Sequence, residues 1–530
     1  MERKVDNDRP ATGRAGGHCC HPQETAAAGI SRRQFLSAVG AAAALGGAAL
    51  LTESQARAAT AEQKAPPGSH ASGPLKVKPA LVYQLHQRRE YVSWRPYGGL
   101  HTQADVDREA ERIADELKRL TAEADFPMEA LPLARVGNDA EAAAVRDGDC
   151  DVILVYASGG EQRWLETLAA SKKPNVMFLR HKSGPIYLWY EIAHWRFLRK
   201  SEDKFREPNM DVWDIVVDDY GEVLWRLRSL HGLRNSLGTG VIALGGLLAY
   251  SRPGQEFGPT HAREVWKFDI KSVSYEELGE RLKKARGDEN VVRDVERQTE
   301  EFLAQKGVSL HTDKKAVANS FLAAKVFKEV MSEVGATSIG VGDCMGSLIR
   351  ILETPPCLIL SLLNDEGYTA FCHSDFTHTS PGILLHHISG RPVFLSNSHF
   401  PYKGVMTLAH CSAPRKMDGK DFEPTKIVTH FESDSGAATK VEFRKGQVIT
   451  NVIPNLTCTK WYGFKGRITD TPSYDVCRSQ IDMEILGNWR KLLEQMEGFH
   501  TVTCYGDYLR EVGYALKKLG IKWENYSENA

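Results

Sequence analysis

Residues 357–400 read CLILSLLNDEGYTAFCHSDFTHTSPGILLHHISGRPVFLSNSHF, and the rest of the chain is organised around them. Two short apolar runs, CLILSLL and YTAF, are predicted as strands on either side of an acidic turn, Asn364, Asp365, Glu366 and Gly367. Gly367 supplies the permissive backbone of that turn, and Asp365 and Glu366 are read as turn residues. Four metal-capable side chains then crowd together: Cys372, His373, Asp375 and His378. On a strand, residues 373 and 375 point to the same face, so both can reach one ion. A helix and another strand follow.

Working outward, the chain of 530 residues is too long for one ordinary core, so two to four domains are expected. Apolar content of 42% and charged content of 25% are globular values. Lys plus Arg (67) nearly cancels Asp plus Glu (68), so no net charge draws the protein to nucleic acid or an anionic membrane, and a small partner is expected. Ser31, Arg32, Arg33, Gln34, Phe35 and Leu36 precede a weakly apolar Ala/Gly/Leu run to Leu51 and a small-x-small site at Ala56, Arg57 and Ala58. This is the pattern of a twin-arginine export signal over 1–58, cleaved after Ala58, and the run is too short to span a bilayer. The twin-arginine translocase is then a partner during export, and the mature protein is expected in the periplasm or outside the cell. The tract His18, Cys19, Cys20 and His21 would leave with the signal. Residues 59–74 form a flexible leader rich in Ala, Pro, Gly and Ser.

Eight cysteines remain, too few for a dense disulfide framework and without the paired C-x-x-C of structural zinc. They are read mostly as buried small hydrophobes. Cys411 is not read as a nucleophile, because nothing around it in sequence evidently lowers its pKa.

Along 75–231, apolar strands at Ala80–Leu85, Asp151–Tyr156 and Val176–Leu179 alternate with helices, which predicts a parallel sheet with helical crossovers. The loop Ala157, Ser158, Gly159, Gly160 follows a strand end, where open α/β sheets bind ligands, although a tight turn explains it equally well. A second α/β unit, 232–370, runs from the strand Val241–Leu244 into Gly245 and Gly246, then through helices near 275–285, 291–305 and 315–334. From 371 to 530 short segments separated by turn residues predict an antiparallel sheet or small barrel, closed by a helix around 483–495, a strand through 500–505 and a helix over 507–519. The expected fold class is α/β: two parallel-sheet α/β domains followed by a β-rich C-terminal domain.

That order, with the D-E-G turn at Asp365, Glu366 and Gly367, the L-L-x-H-x-x-S-G helix around Leu384, Leu385, His387, Ser389 and Gly390, the pair His410–Cys411, the strand Lys445–Thr450 and HTVTCYGD at His500–Asp507, resembles the L-fucose isomerase-like family. The resemblance implies aldose–ketose isomerisation at a divalent metal, Mn2+ first among candidates. Asp375 matches the family's metal-binding aspartate and His500 its C-terminal histidine, while Asp343 falls near the position of the second carboxylate. Asp375 and Asp343 are then the acid/base candidates. His373 stands where relatives carry Glu, so it either joins Asp375, His500 and Asp343 on the metal or marks different chemistry. Trp461, Trp94 and His410 are candidates for contacting a small-molecule carbohydrate, with ordinary packing the competing reading for the two tryptophans. A homo-oligomer is implied by the resemblance alone. A saccharide-binding protein without catalysis, or a metal-assisted lyase or epimerase, stays open beside the isomerase.

Overall fold

The computed structural model describes residues 73–198 and 210–527; the expected export signal and nearly all of the expected leader lie outside them. The first strand, Leu75–Val82, is buried along most of its length and sits inside a parallel sheet. From one edge the order is Met128–Ala130, Leu75–Val82, Val152–Ala157, Asn175–Leu179 and Ile215–Val217, with Ala134–Val136 continuing the first edge. Val152–Ala157 and Asn175–Leu179 are buried at every residue, as strands covered on both faces must be. Capped helices such as Gln103–Glu123, whose Thr102 and Asp105 form a capping box, cover the faces.

The middle sheet is also parallel, ordered Thr369–Phe371, Ser338–Val341, Gly240–Leu244, Asp269–Val273. Chain order reverses between Gly240–Leu244 and Ser338–Val341, so its crevice opens at the carboxyl ends of those strands. The expected helices appear as Tyr275–Arg286, Glu289–Leu303 and Lys314–Glu333.

One expectation in the deciding stretch is corrected. Residues Cys357–Asp365 form an α-helix, not a strand, and Cys357 through Asn364 are all buried. A helix buried all round has no polar face, so its sequence loses the period that would distinguish it from a strand. The turn after it is also more than a turn. The buried Asp365 carboxylate receives N–H bonds from Arg415 (2.8 Å) and Lys416 (2.9 Å) and pairs with Arg415 Nε at 3.0 Å. Burial pushes this carboxyl above its ordinary value against the pull of Arg415.

Beyond it, six antiparallel strands close into a barrel. Going round, they are Val448–Pro454, His500–Tyr505, Phe394–Ser398, Val405–His410, Ser479–Leu486 and Lys460–Asp470, the last pairing back to the first. Alternation sorts the side chains: Phe394 joins the core with Met406, Leu408, Ile449 and Phe464, whereas Leu395, Val452 and Val502 pack outward with Ile383, Leu384 and Ile388. Ser479–Leu486 replaces the start of the helix expected near 483; its buried Met483 and Ile485 flank exposed Glu484, a period of two, and the helix is confined to Trp489–Gln495. A small sheet ties the regions together, because Val308–Leu310 pairs parallel with Thr425–Val428, itself antiparallel to Ala438–Val441. No single helix among the described residues is long and apolar enough to cross a membrane.

Phe376–Ser389 is the helix at the junction. It packs on Tyr220–Ser236 so closely that a Cβ on Gly232 would lie 2.3 Å from Ile388 Cγ1, and it ends at Gly390 with φ +63°. The Asp365–Arg415 pair holds the preceding turn to the barrel region. Asp365→Ala is expected to destabilise the protein by about 3–5 kcal/mol, because it strands a buried guanidinium; urea denaturation beside Asp365→Ala/Arg415→Met, which removes the stranded charge and recovers part of the loss, checks this.

Candidate metal centre

The edge strand Thr369–Phe371 delivers Cys372, His373, Ser374 and Asp375 to the carboxyl end of the middle sheet. Ser374 fixes that turn: its hydroxyl donates to Gly246 O (2.6 Å) and accepts from Leu248 N–H (3.1 Å). The neighbouring strand must be small here, since a Cβ on Gly340 would lie 2.8 Å from Ser374 Cα. Asp375 caps the junction helix. One carboxylate oxygen accepts from Thr377 N–H (2.9 Å) and Thr377 O–H (2.8 Å), and the other from Tyr250 N–H (3.4 Å). His378 follows one helical turn later on the same side.

The barrel supplies the opposing side. His500 begins the strand His500–Tyr505 and His410 ends Val405–His410, both beside Asn397, which pairs with His500 on one side and with Ala409 on the other. The rings of His378 and His500 lie 4.8 Å apart, His373 and His500 5.1 Å, His373 and His378 6.1 Å, and His373 and His410 6.2 Å. Donor atoms of Asp375, His378 and His500 all fall within 4.8 Å of one another, as do those of Cys372, His373 and His410.

These buried groups are able to hold a metal ion, and their polar atoms point the same way. Among the described residues, His378 has no hydrogen-bond partner at Nδ1 or Nε2 and His500 none at Nε2, although both are buried. His378 Nδ1 stands 4.0 Å from Asp375 Oδ2, too far for a hydrogen bond. Burial also keeps the imidazoles neutral. It holds His373 and His500 well below the ordinary histidine value, assisted by the neighbouring histidines, lowers His378, and pushes His410 down to about 4. Neutral imidazoles with free lone pairs are what a cation needs.

Of the expected residues, Asp375 and His500 come together, and His373 and His410 stand beside them. Asp343 joins neither group: it is exposed, and its carboxylate accepts from Gly346 N–H (3.1 Å) and Ser347 N–H (3.5 Å) at the start of the Cys344–Leu348 turn. Trp461 is 1% exposed and stacked on Trp266 at 5.5 Å, so it is packing rather than a ligand surface. Trp94 is half-buried in a loop of the first region, with Arg95 over its ring, and no ring contact or hydrogen bond among the described residues joins it to the histidines. The aromatics that face the site are Tyr250 and Phe499, 62% and 44% exposed. Tyr250 lies 4.6 Å from His373 and Phe499 4.2 Å from His500.

His378 belongs to the metal-capable run but not to the ligand set that the resemblance implies; its signal is the spacing Asp375-x-x-His378, which places a helix cap and a first-turn side chain together. Tyr250 carried no signal, because a loop residue far upstream reaches the site only through the fold. A cavity of about 510 Å³ lined by Trp213, Trp225, Tyr514 and Trp523 shares no lining residue with the histidines. No family model matches the chain, and no curated protein matches it.

Each of these histidines titrates lower when folded than the ordinary value of 6.5, so the unfolded chain binds more protons between the two values and stability rises with pH there. Metal-free protein is therefore expected to lose melting temperature as pH falls below about 6.5. Thermal denaturation in chelator from pH 7.5 to pH 4.5 checks this, with His410→Gln flattening the slope.

Proposed function

We propose that the mature chain is an exported, metal-dependent enzyme acting on a small carbohydrate by proton transfer next to a carbonyl, of the aldose–ketose isomerase type. The observation that carries this reading is the set of buried imidazole nitrogens without partners on His378 and His500, converging with the Asp375 carboxylate at the carboxyl end of a parallel sheet. Asp375, His378 and His500 would hold the cation, and three protein ligands leave positions for adjacent substrate oxygens. One carboxylate with two imidazoles suits Mn2+, and also Fe2+ or Zn2+. When bound, the cation supplies Lewis acidity to the carbonyl.

The chain's own residues do the rest. Tyr250 and Phe499 offer ring faces to an apolar sugar face at the mouth. The half-buried His373, kept neutral, takes the α-proton at an imidazole nitrogen and returns it to the adjacent carbon. Thr377 and the Tyr250 N–H hold Asp375 in place. Asp343, committed to capping, supports a second reading in which the fold is kept for saccharide binding without turnover.

Residues 59–530, purified without chelator and incubated with Mn2+, are expected to bind the ion and to isomerise one member of a panel of aldoses. Asp375→Ala/His500→Ala is expected to lose both, and His373→Gln to keep the metal while losing about 10²–10⁴-fold in kcat. Metal binding with saccharide affinity but no turnover would favour the binding-protein reading. No metal in the wild-type protein would overturn the enzyme.

A further inference from the structure

A second set of donors, which the site above does not use, gathers from four separate segments. Cys357 opens the helix Cys357–Asp365, and Cys411 directly follows the strand Val405–His410. His430 lies just beyond Thr425–Val428, and Cys477 just ahead of Ser479–Leu486. The donor atoms of Cys357, Cys411 and His430 are within 4.8 Å of one another, with the three residues 2%, 1% and 5% exposed. Half-buried Cys477 packs on the same cluster, its thiol interacting with that of Cys411. All the thiols are free.

A single buried cysteine is ordinary core material, but packing gives no reason for three thiols and an imidazole to converge. Tetrahedral zinc does. With a Zn–S bond of about 2.3 Å its ligand atoms lie about 3.8 Å apart, so Cys357, Cys411 and His430 need to draw in by no more than about 1 Å, and Cys477, outside that trio, has to move further to close the tetrahedron. Thiolates select Zn2+ over the harder Mn2+ or Mg2+. The surroundings suit charged sulfur: Arg478 N–H donates to Cys411 Sγ (3.4 Å), and the Arg478 guanidinium sits nearby, over Phe431. His430 Nδ1 accepts from Ser433 N–H (3.3 Å) and lies 3.0 Å from Ser433 Oγ, with Glu432 3.9 Å from Nε2, so ligation through Nε2 requires the tautomer to change, the proton moving to Nδ1 and turning to the Ser433 hydroxyl.

We propose that Cys357, Cys411, Cys477 and His430 form a closed zinc site, structural rather than catalytic, that fastens the buried helix of the middle sheet to three segments around the barrel. Four protein donors fill the tetrahedron and leave no position for substrate. The donors come from distant segments, which is why no C-x-x-C pair announces them.

The test uses the full mature chain, reduced, incubated with Zn2+ and desalted. About one zinc per chain is expected to be retained, to persist in Asp375→Ala/His500→Ala and to be lost in Cys411→Ser. Exchange with Co2+ is expected to give a thiolate-to-cobalt charge-transfer band that Cys411→Ser lacks. Because that variant can fail to fold, wild-type protein is also alkylated with iodoacetamide with and without chelator and mapped by mass spectrometry. Zinc is expected to shield Cys357, Cys411 and Cys477 and to leave Cys150 unchanged. Zinc absent from the wild-type protein, zinc lost with His500 rather than Cys411, or alkylation indifferent to chelator would each overturn the proposal.

Discussion

A buried polar atom without a partner costs about 1–3 kcal/mol, and this protein keeps three imidazole nitrogens in that state within one pocket. The rest of the structure is arranged so that they stay there. The middle sheet ends in a turn locked by Ser374, the junction helix starts on Asp375, and the barrel presents His410 and His500 at one end. Each element has its own reason to form, in strand burial, capping or barrel closure. Their shared product is a pocket of buried imidazoles gathered beside a carboxylate.

The division of labour between the two layers follows from their geometry. A parallel sheet concentrates loops at its carboxyl end and so brings Gly246, Tyr250 and the 372–375 turn to one place. A closed barrel has no free edge, and its strand ends are held by neighbours on both sides, which makes His410 and His500 rigid opponents to those loops. Tyr250 and Phe499 then stand where solvent begins.

Much of this was legible in the residues. Period-two strands, continuous apolar runs and glycine-marked ends conveyed two parallel sheets and a β-rich last region, and Asp375 with His500 came from motif resemblance. What failed did so for physical reasons. The helix Cys357–Asp365 is buried all round and so carries no helical period. Asp343 sits at a strand end like a site residue, yet its carboxylate is taken by local N–H groups. Trp461 has the chemistry of a sugar platform, but stacking on Trp266 withdraws it from solvent. His378 needed the helix start to be placed to within one residue, and Tyr250 needed the whole fold.

The path of the chain sets a timetable for the site. Val308–Leu310 waits for Thr425–Val428 before it has a partner, and the barrel cannot close until His500–Tyr505 pairs with Val448–Pro454. The Asp375 side of the pocket leaves the ribosome long before its opposing histidine, so the donor set is complete only once His500 has been made and its strand has paired. Such long-range pairing folds slowly. The half-finished chain thus offers an incomplete donor set, and an ion held by all three donors would report that the barrel has closed.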